Sequence, residues 1–347
     1  MKEFKYQADE AYFCAANSYS GFYSEFERVF RADKFKRVYI LKGGPGTGKS
    51  NLMKKLIAFG NTIGCKTEAI HCSSDPKSLD GAILSKNGAS VAMVDGTAPH
   101  DLSPTLPGAA DEIIDLAKHL NKSALNEKRS ELFSMLNAKQ NFYKTAYSML
   151  KIAGAINDAI DDLISEYIDY SAAEFMVEDL VKYSKTPSDA PEKRKFISSF
   201  GRFGHTFIDG YNKQGIREIR IKGDGFSEFL IMEMLRKELS KQEMITCVCP
   251  AVPCISKTDA IYTKDVIYRT SDDPDAYDCT NLYKDKPDRV TEMLNIRRSI
   301  LNVASASLSD ASELHFELEK HYSEAMNFDK TKTLFDELKK EIASILS

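Results

Sequence analysis

The sequence predicts an α/β fold written twice in tandem, each copy a mainly parallel sheet followed by a helical segment. Three observations predict it. An apolar, β-rich run, Val38-Tyr39-Ile40-Leu41, leads through a glycine-rich loop into Leu52, Met53, Leu56 and Ile57 at helical spacing. A second stretch, "REIRIKGDGFSEFLIMEMLRKEL" from Arg217 to Leu239, repeats that order of strand, loop and helix. The segments around the two stretches also match in the same order along the chain.

In those matches Lys42-Gly43 corresponds to Lys222-Gly223. "YFCAANSYSGFYS" (Tyr12–Ser24) resembles "KFISSFGRFGHTF" (Lys195–Phe207), with Gly21 against Gly204. "DGAILSK" (Asp80–Lys86) pairs with "DAIYTK" (Asp259–Lys264), and Ala153–Tyr170 echoes Ala311–Phe328. Four matches in one order argue for duplication and an intramolecular pseudo-dimer. The expected domains are 1–110, an α/β unit; 111–190, helical segment and linker; 191–284, a second α/β unit; and 285–347, a C-terminal helical segment. Pro187 and Pro191 mark the linker.

A chain of 347 residues with 43% hydrophobic content can build more than one packed core. Its net charge of −4 gives no global pull toward nucleic acid, and "PEKRKF" (Pro191–Phe196) leaves room for a local contact only. No stretch approaches the roughly 18 to 20 apolar residues of a membrane span, and the first residues lack a signal-peptide core, so a cytoplasmic location without a membrane partner is expected. Seven scattered cysteines suit reduced thiols better than a disulfide framework. Only "CVCPAVPC" clusters them, and it lacks the C-x-x-C pairs usual in zinc sites.

"GGPGTGKS", with Gly43, Gly44, Pro45, Gly46, Thr47, Gly48, Lys49 and Ser50, satisfies G-x-x-x-x-G-K-[ST], and Asn51 closes the expected binding set. Glycines let successive main-chain N–H groups converge on phosphate oxygens, and the helix N-terminus behind them favours an anion. Lys49 would reach the β- and γ-phosphates, and the Ser50 hydroxyl would ligate Mg²⁺. An ordinary glycine-rich turn would not explain the lysine and hydroxyl after the last glycine. The motif therefore predicts a nucleotide as ligand and the P-loop NTPase version of the α/β fold.

Such a loop needs an acid on the metal side, at the end of a neighbouring buried strand. "SVAMVDGTAPH" (Ser90–His100) offers Asp95 after the apolar run Val91–Val94; its plain alternative is to open the Asp95-Gly96 turn. The metal-side set is then Ser50 and Asp95. No glutamate follows Asp95, so the base is left among Asp75 and Asp80 in "HCSSDPKSLDG" and His100, each of which could instead be a turn or cap residue. Adjacent His71 and Cys72 point to opposite faces of a strand, which argues against a reactive pair.

The second loop, "GDGFSEFL", is two residues shorter than "GGPGTGKSNL" and sets Ser227 and Glu228 near the Lys49 and Ser50 positions. A carboxylate there opposes phosphate. Arg269 and Thr270 stand around the place of Asp95. One live site is expected, with Arg269, Arg217, Arg220 or Arg202 as candidates to reach its γ-phosphate or to remain solvated surface charges.

"ILKGGPGTGKSNLMKK", "HCSSDPKSLDG", "VDGTAPH" and the duplicated layout together resemble a family of bacterial tandem P-loop ATP-binding proteins over nearly the whole chain. The resemblance implies ATP, with Mg²⁺, as the ligand of Gly43–Ser50, and it implies that Ser73–Asp80 and Asp95–His100 surround it. The chain departs from members with two intact loops at Asp224–Glu228. Three functions follow as expectations: an ATPase whose single site biases the arrangement of the two halves, a small-molecule or nucleotide kinase, or a non-catalytic ATP sensor or scaffold. The partner is correspondingly a protein or a small-molecule phosphate acceptor.

Overall fold

The computed structural model describes residues 6–187, 190, 192–208, 210, 215–252, 257–285 and 287–347. In the first half the strands are β1 (Glu10–Phe13), β2 (Ala15–Ser18), β3 (Gly21–Ser24), β4 (Arg37–Lys42), β5 (Lys66–His71), β6 (Leu79–Lys86), β7 (Ala89–Asp95) and β8 (Asp111–Asp115). Helices α1 (Phe26–Val29) and α2 (Lys49–Thr62) lie between them. Six strands form a sheet in the order β1-β5-β6-β7-β4-β8, while β2 and β3 make a hairpin that turns at Gly21, whose φ of +112° suits glycine.

The sheet is mixed. β4 runs parallel to β7 and β8, and β1 to β5, but β5, β6 and β7 form an antiparallel meander. The meander follows from Asn87-Gly88: both residues take positive φ, 52° and 77°, and a two-residue turn of this kind joins antiparallel strands with the twist they need. β8 also lies beyond the expected boundary at residue 110. Its parallel pairing with β4 makes Asp111–Asp115 the edge of the first sheet rather than the start of the helical segment.

The second half repeats this plan with β9 (Lys193–Lys195), β10 (Ser198–Gly201), β11 (Gly204–Phe207), β12 (Arg217–Lys222), β13 (Ile245–Val248), β14 (Thr258–Tyr262), β15 (Val266–Thr270) and β16 (Tyr277–Asp278). Its sheet runs β9-β13-β14-β15-β12-β16, the same order position by position, with β10 and β11 as the hairpin. The chain is therefore a duplicated α/β fold on two mixed, mostly parallel sheets, each followed by helices. Pro187 bridges to Gln242 rather than standing free, and Pro191 lies outside the described residues. The basic cluster enters β9, where Lys195 pairs with Glu10 and Glu68. Cys247 and Cys249 are buried, and Cys254 lies outside the described residues.

After the first sheet come α3 (Lys122–Glu127), α4 (Arg129–Ile164) and α5 (Tyr170–Val181); in the second half α6 (Ser227–Glu238) precedes β13, and α7 (Asp288–Glu324) and α8 (Phe328–Ile345) follow the sheet. α4 and α7 pack along each other, with Ala146 and Leu150 of one against Ala304 and Leu308 of the other. They run antiparallel, since a bridge from Leu120 to Met326 joins the start of α4 to the end of α7, and one from Ile168 to Tyr283 joins the opposite ends.

Each long helix thereby carries its follower across to the other half. In α5, Ala173, Val177 and Leu180 share a core with Ile219, Ile231 and Leu235 of the second half. In α8, Phe335, Leu338 and Ile342, spaced three and four apart, share a core with Tyr39, Leu41 and Leu56 of the first. The caps are alike: the Asp169 side chain accepts from the Ala172 N–H, and Asn327 from the Lys330 N–H. Among the described residues no helix is long and apolar enough to cross a membrane.

Candidate functional site

The loop Gly43–Ser50 joins β4 to α2. Gly46 and Gly48 take φ of +70° and +90°, open to glycine without strain, and Gly48 is the N-cap of α2. Behind it, Lys49 is the first residue of the helix and only 9% exposed. Its ammonium donates to the Gly43 and Gly44 carbonyls at 3.1 and 2.9 Å and lies 3.6 Å from Asp95 Oδ2. Thr47 Oγ1 donates to the Gly44 carbonyl at 2.8 Å, and Ser50 Oγ accepts from the Leu79 N–H at 2.9 Å.

Asp95 closes β7, whose parallel register sets it opposite Leu41, one residue before the end of β4. Its carboxylate serves in two ways at once. Oδ1 accepts from the Thr97 N–H and hydroxyl at 2.9 and 2.6 Å, holding the turn, while Oδ2 faces Lys49. Burial raises its pKa, and Lys49 and the Thr97 hydrogen bonds oppose that rise.

The three base candidates reach the same space by different routes. Asp80, 6% exposed, lies with Oδ2 3.0 Å from His100 Nε2. The His100 ring rests on Phe26, with centroids 4.1 Å apart and planes at 27°. Asp75 closes a turn by accepting from the Lys77 N–H at 3.2 Å. All three, with Gly43–Asn51 and Asp95, line one cavity of about 1740 Å³. His71 Nδ1 instead meets the Pro76 carbonyl at 2.6 Å, and burial pushes the Cys72 thiol up, so the two form no reactive pair.

The far wall comes from α4 and α7, which the sequence marks only as parts of its two helical segments. α7 lies so close that a methyl on Gly46 would fall 2.2 Å from the Glu319 carbonyl oxygen, and one on Gly44 would meet the Tyr322 ring at 2.5 Å. Lys139 of α4 donates to His315 Nδ1 of α7 at 3.0 Å, and His315 Nε2 lies 3.6 Å from Glu319 Oε1. Burial, with Lys139 and Lys49 nearby, pulls the His315 pKa down to about 4, so the ring is neutral at pH 7. With Nδ1 accepting, Nε2 carries the proton toward Glu319. Partial burial raises the Glu319 pKa, against the pull of Lys49 and of a hydrogen bond from the Gly46 N–H.

One signal for these residues existed in the sequence: the match of Ala153–Tyr170 with Ala311–Phe328 aligns Asn157 with His315 and Asp161 with Glu319, polar pairs inside otherwise packed helices. The four candidate arginines lie elsewhere. Arg269 stacks over Phe207, Arg217 over Tyr183 and Arg202 over Phe203 and Phe316, while Arg220 pairs with Glu218 and Asp273. None of them lines the cavity, although Arg202 stacks on Phe316, which does.

The second loop is closed by its own acids. Both Glu228 carboxylate oxygens accept from the Gly225 N–H at 3.0 Å, and burial raises the Glu228 pKa to about 7. Asp224 Oδ1 accepts from the Phe226 and Ser227 N–H groups and from the Tyr283 hydroxyl. Thr270 stands opposite Ile221 as Asp95 stands opposite Leu41, so no acid occupies the position that Asp95 holds in the first half. Arg297 of α7 lies against Gly225 and donates to Asn157 Oδ1 of α4 at 2.7 Å.

Comparison of the chain with models of known protein families, with curated proteins and with solved structures finds no match.

Proposed function

We propose that the first half is a P-loop nucleotide site that binds ATP with Mg²⁺ and hydrolyses it, and that the γ-phosphate biases how α4 and α7 sit against the loop. The observation that carries this reading is the buried Lys49 ammonium, 3.6 Å from the strand-end Asp95 carboxylate, at the head of a helix reached through positive-φ glycines. The loop amides and Lys49 would hold the β- and γ-phosphates. Ser50 and Asp95 fit Mg²⁺ as hard oxygen donors, the chemistry that ion selects; when bound it would neutralise phosphate charge. Asp80, beside His100 and within electrostatic reach of Asp95, is the carboxylate best placed to orient the attacking water.

One observation favours a kinase as the second reading. At about 1740 Å³ the cavity exceeds the roughly 300 to 1,000 Å³ of ordinary ligand pockets, leaving room for an acceptor on the Tyr143 and Tyr147 side. Phosphate release from Mg-ATP, followed alone and then with a mixture of metabolites, separates the readings. Release without acceptor supports hydrolysis, transfer only with a particular compound supports the kinase, and calorimetric binding without either supports a sensor. No heat with Mg-ATP overturns all three.

A further inference from the structure

The second half contains its own anion, and so displays around it the contacts that the first half holds open. Continuing the helix match along α4 and α7 aligns Lys139 with Arg297, His315 with Asn157 and Glu319 with Asp161. The geometry follows the alignment. In each half a cation near the start of one long helix donates to a polar side chain near the end of the other, Lys139 to His315 at 3.0 Å and Arg297 to Asn157 at 2.7 Å. In the second half that cation lies against Gly225, whose N–H holds the Glu228 carboxylate. A loop amide thus holds one carboxyl, and a helix-borne cation packs beside that same loop glycine.

In the first loop Ser50 replaces Glu228, so no acid of the loop itself takes that place, and α7 instead brings the Glu319 backbone against Gly46. Lys139 faces the same cavity as the loop. We propose that Lys139 contacts the γ-phosphate of the nucleotide held by Gly43–Ser50, from the place where Arg297 lies against the second loop at Gly225, with His315 as its positioning residue. This rests on the ATP reading above. Burial lowers the Lys139 pKa, so an incoming anion would relieve a desolvated cation. Neutral His315 offers a lone pair and no competing charge. In hydrolysis the Pγ–O bond to ADP breaks as the bond from the water oxygen to Pγ forms, and the water proton leaves with the inorganic phosphate. Lys139 would form no covalent bond and give up no proton; it would stabilise charge on the transferring group.

Calorimetry with Mg-ADP and with the Mg complex of the non-hydrolysable β,γ-imido analogue of ATP, together with phosphate release, tests this on the full chain. Lys139→Ala should weaken the analogue by about tenfold or more while leaving ADP within about twofold, and should slow phosphate release by about 10²- to 10³-fold. Lys139→Arg should restore most of the discrimination, which a merely structural lysine would not require, and His315→Ala should lower it less than Lys139→Ala does. Equal weakening of both nucleotides, or none of either, overturns the assignment of Lys139 alone. A wild-type chain that binds neither nucleotide overturns the ATP reading, and this inference with it.

Discussion

The two halves share a sheet order, a hairpin, a loop between strand and helix, and a pair of crossed helices, yet they treat negative charge in opposite ways. The first loop presents Lys49 and Ser50 with Asp95 alongside. In the second, Ser227 and Glu228 occupy those places, Thr270 replaces the acid, and loop carboxylates take up the loop amides. The difference teaches that the fold and the site rest on separate residues. Buried rows such as Val38–Leu41 and Ile219 with Ile221 build the sheets, while the charge of each loop is set by a few polar positions at the strand ends.

That contrast can be broken by removing the charge on which it depends. Lys49→Ala should reduce phosphate release by about 10³-fold or more, with the thermal midpoint little changed, because the ammonium contacts loop carbonyls rather than the core. Loss of folding, or unchanged turnover, would remove the distinction between the halves. The exchanged helix gives the next largest effect. Leu338→Ala in α8 should lower stability by about 2 to 5 kcal/mol in urea titration, by opening a cavity under the first sheet.

Glu228 sharpens the comparison through pH. Burial raises its folded pKa to about 7, above the usual 4.5 of a glutamate, so the folded chain holds the proton more tightly than the unfolded chain. The resulting stabilisation is fully present below pH 4.5 and is lost as pH rises through 7, amounting to roughly 3 kcal/mol. Glu228→Gln should flatten that part of the stability profile in denaturant titrations at stepped pH, while phosphate release stays within about twofold. An unchanged slope would mean that the carboxyl is already ionised in the fold. Gly46→Ala should lower stability by about 2 kcal/mol or more, from the positive φ and the clash with the Glu319 backbone, with weakened nucleotide binding measured by calorimetry.

Much of the first loop was legible because its chemistry is local. Residues 37–57 carry the strand, the glycines and the helix in one run, and Asp95 could be read from the apolar strand before it. The Asn87-Gly88 turn is equally local, and it sets β6 and β7 antiparallel within a sheet that is otherwise mostly parallel, as expected. What the sequence concealed is long-range. Lys139 and His315 are 176 residues apart, and each sits on a helix whose apolar spacing says only that it packs, not against which neighbour. The same limit hid the exchange of α5 and α8, since an amphipathic stripe does not name the sheet it will cover. β8 was hidden for the converse reason: "DEIID" is a short strand between acids, at the border of a segment rich in helix formers.

The crossing of α8 onto the first sheet has a consequence for biosynthesis. During translation that sheet emerges early from the ribosome, but the apolar face around Leu41 and Leu56 stays uncovered until Phe328–Ile345 has been made. The half that carries the glycine-rich loop is therefore completed only after α8, later than the second sheet.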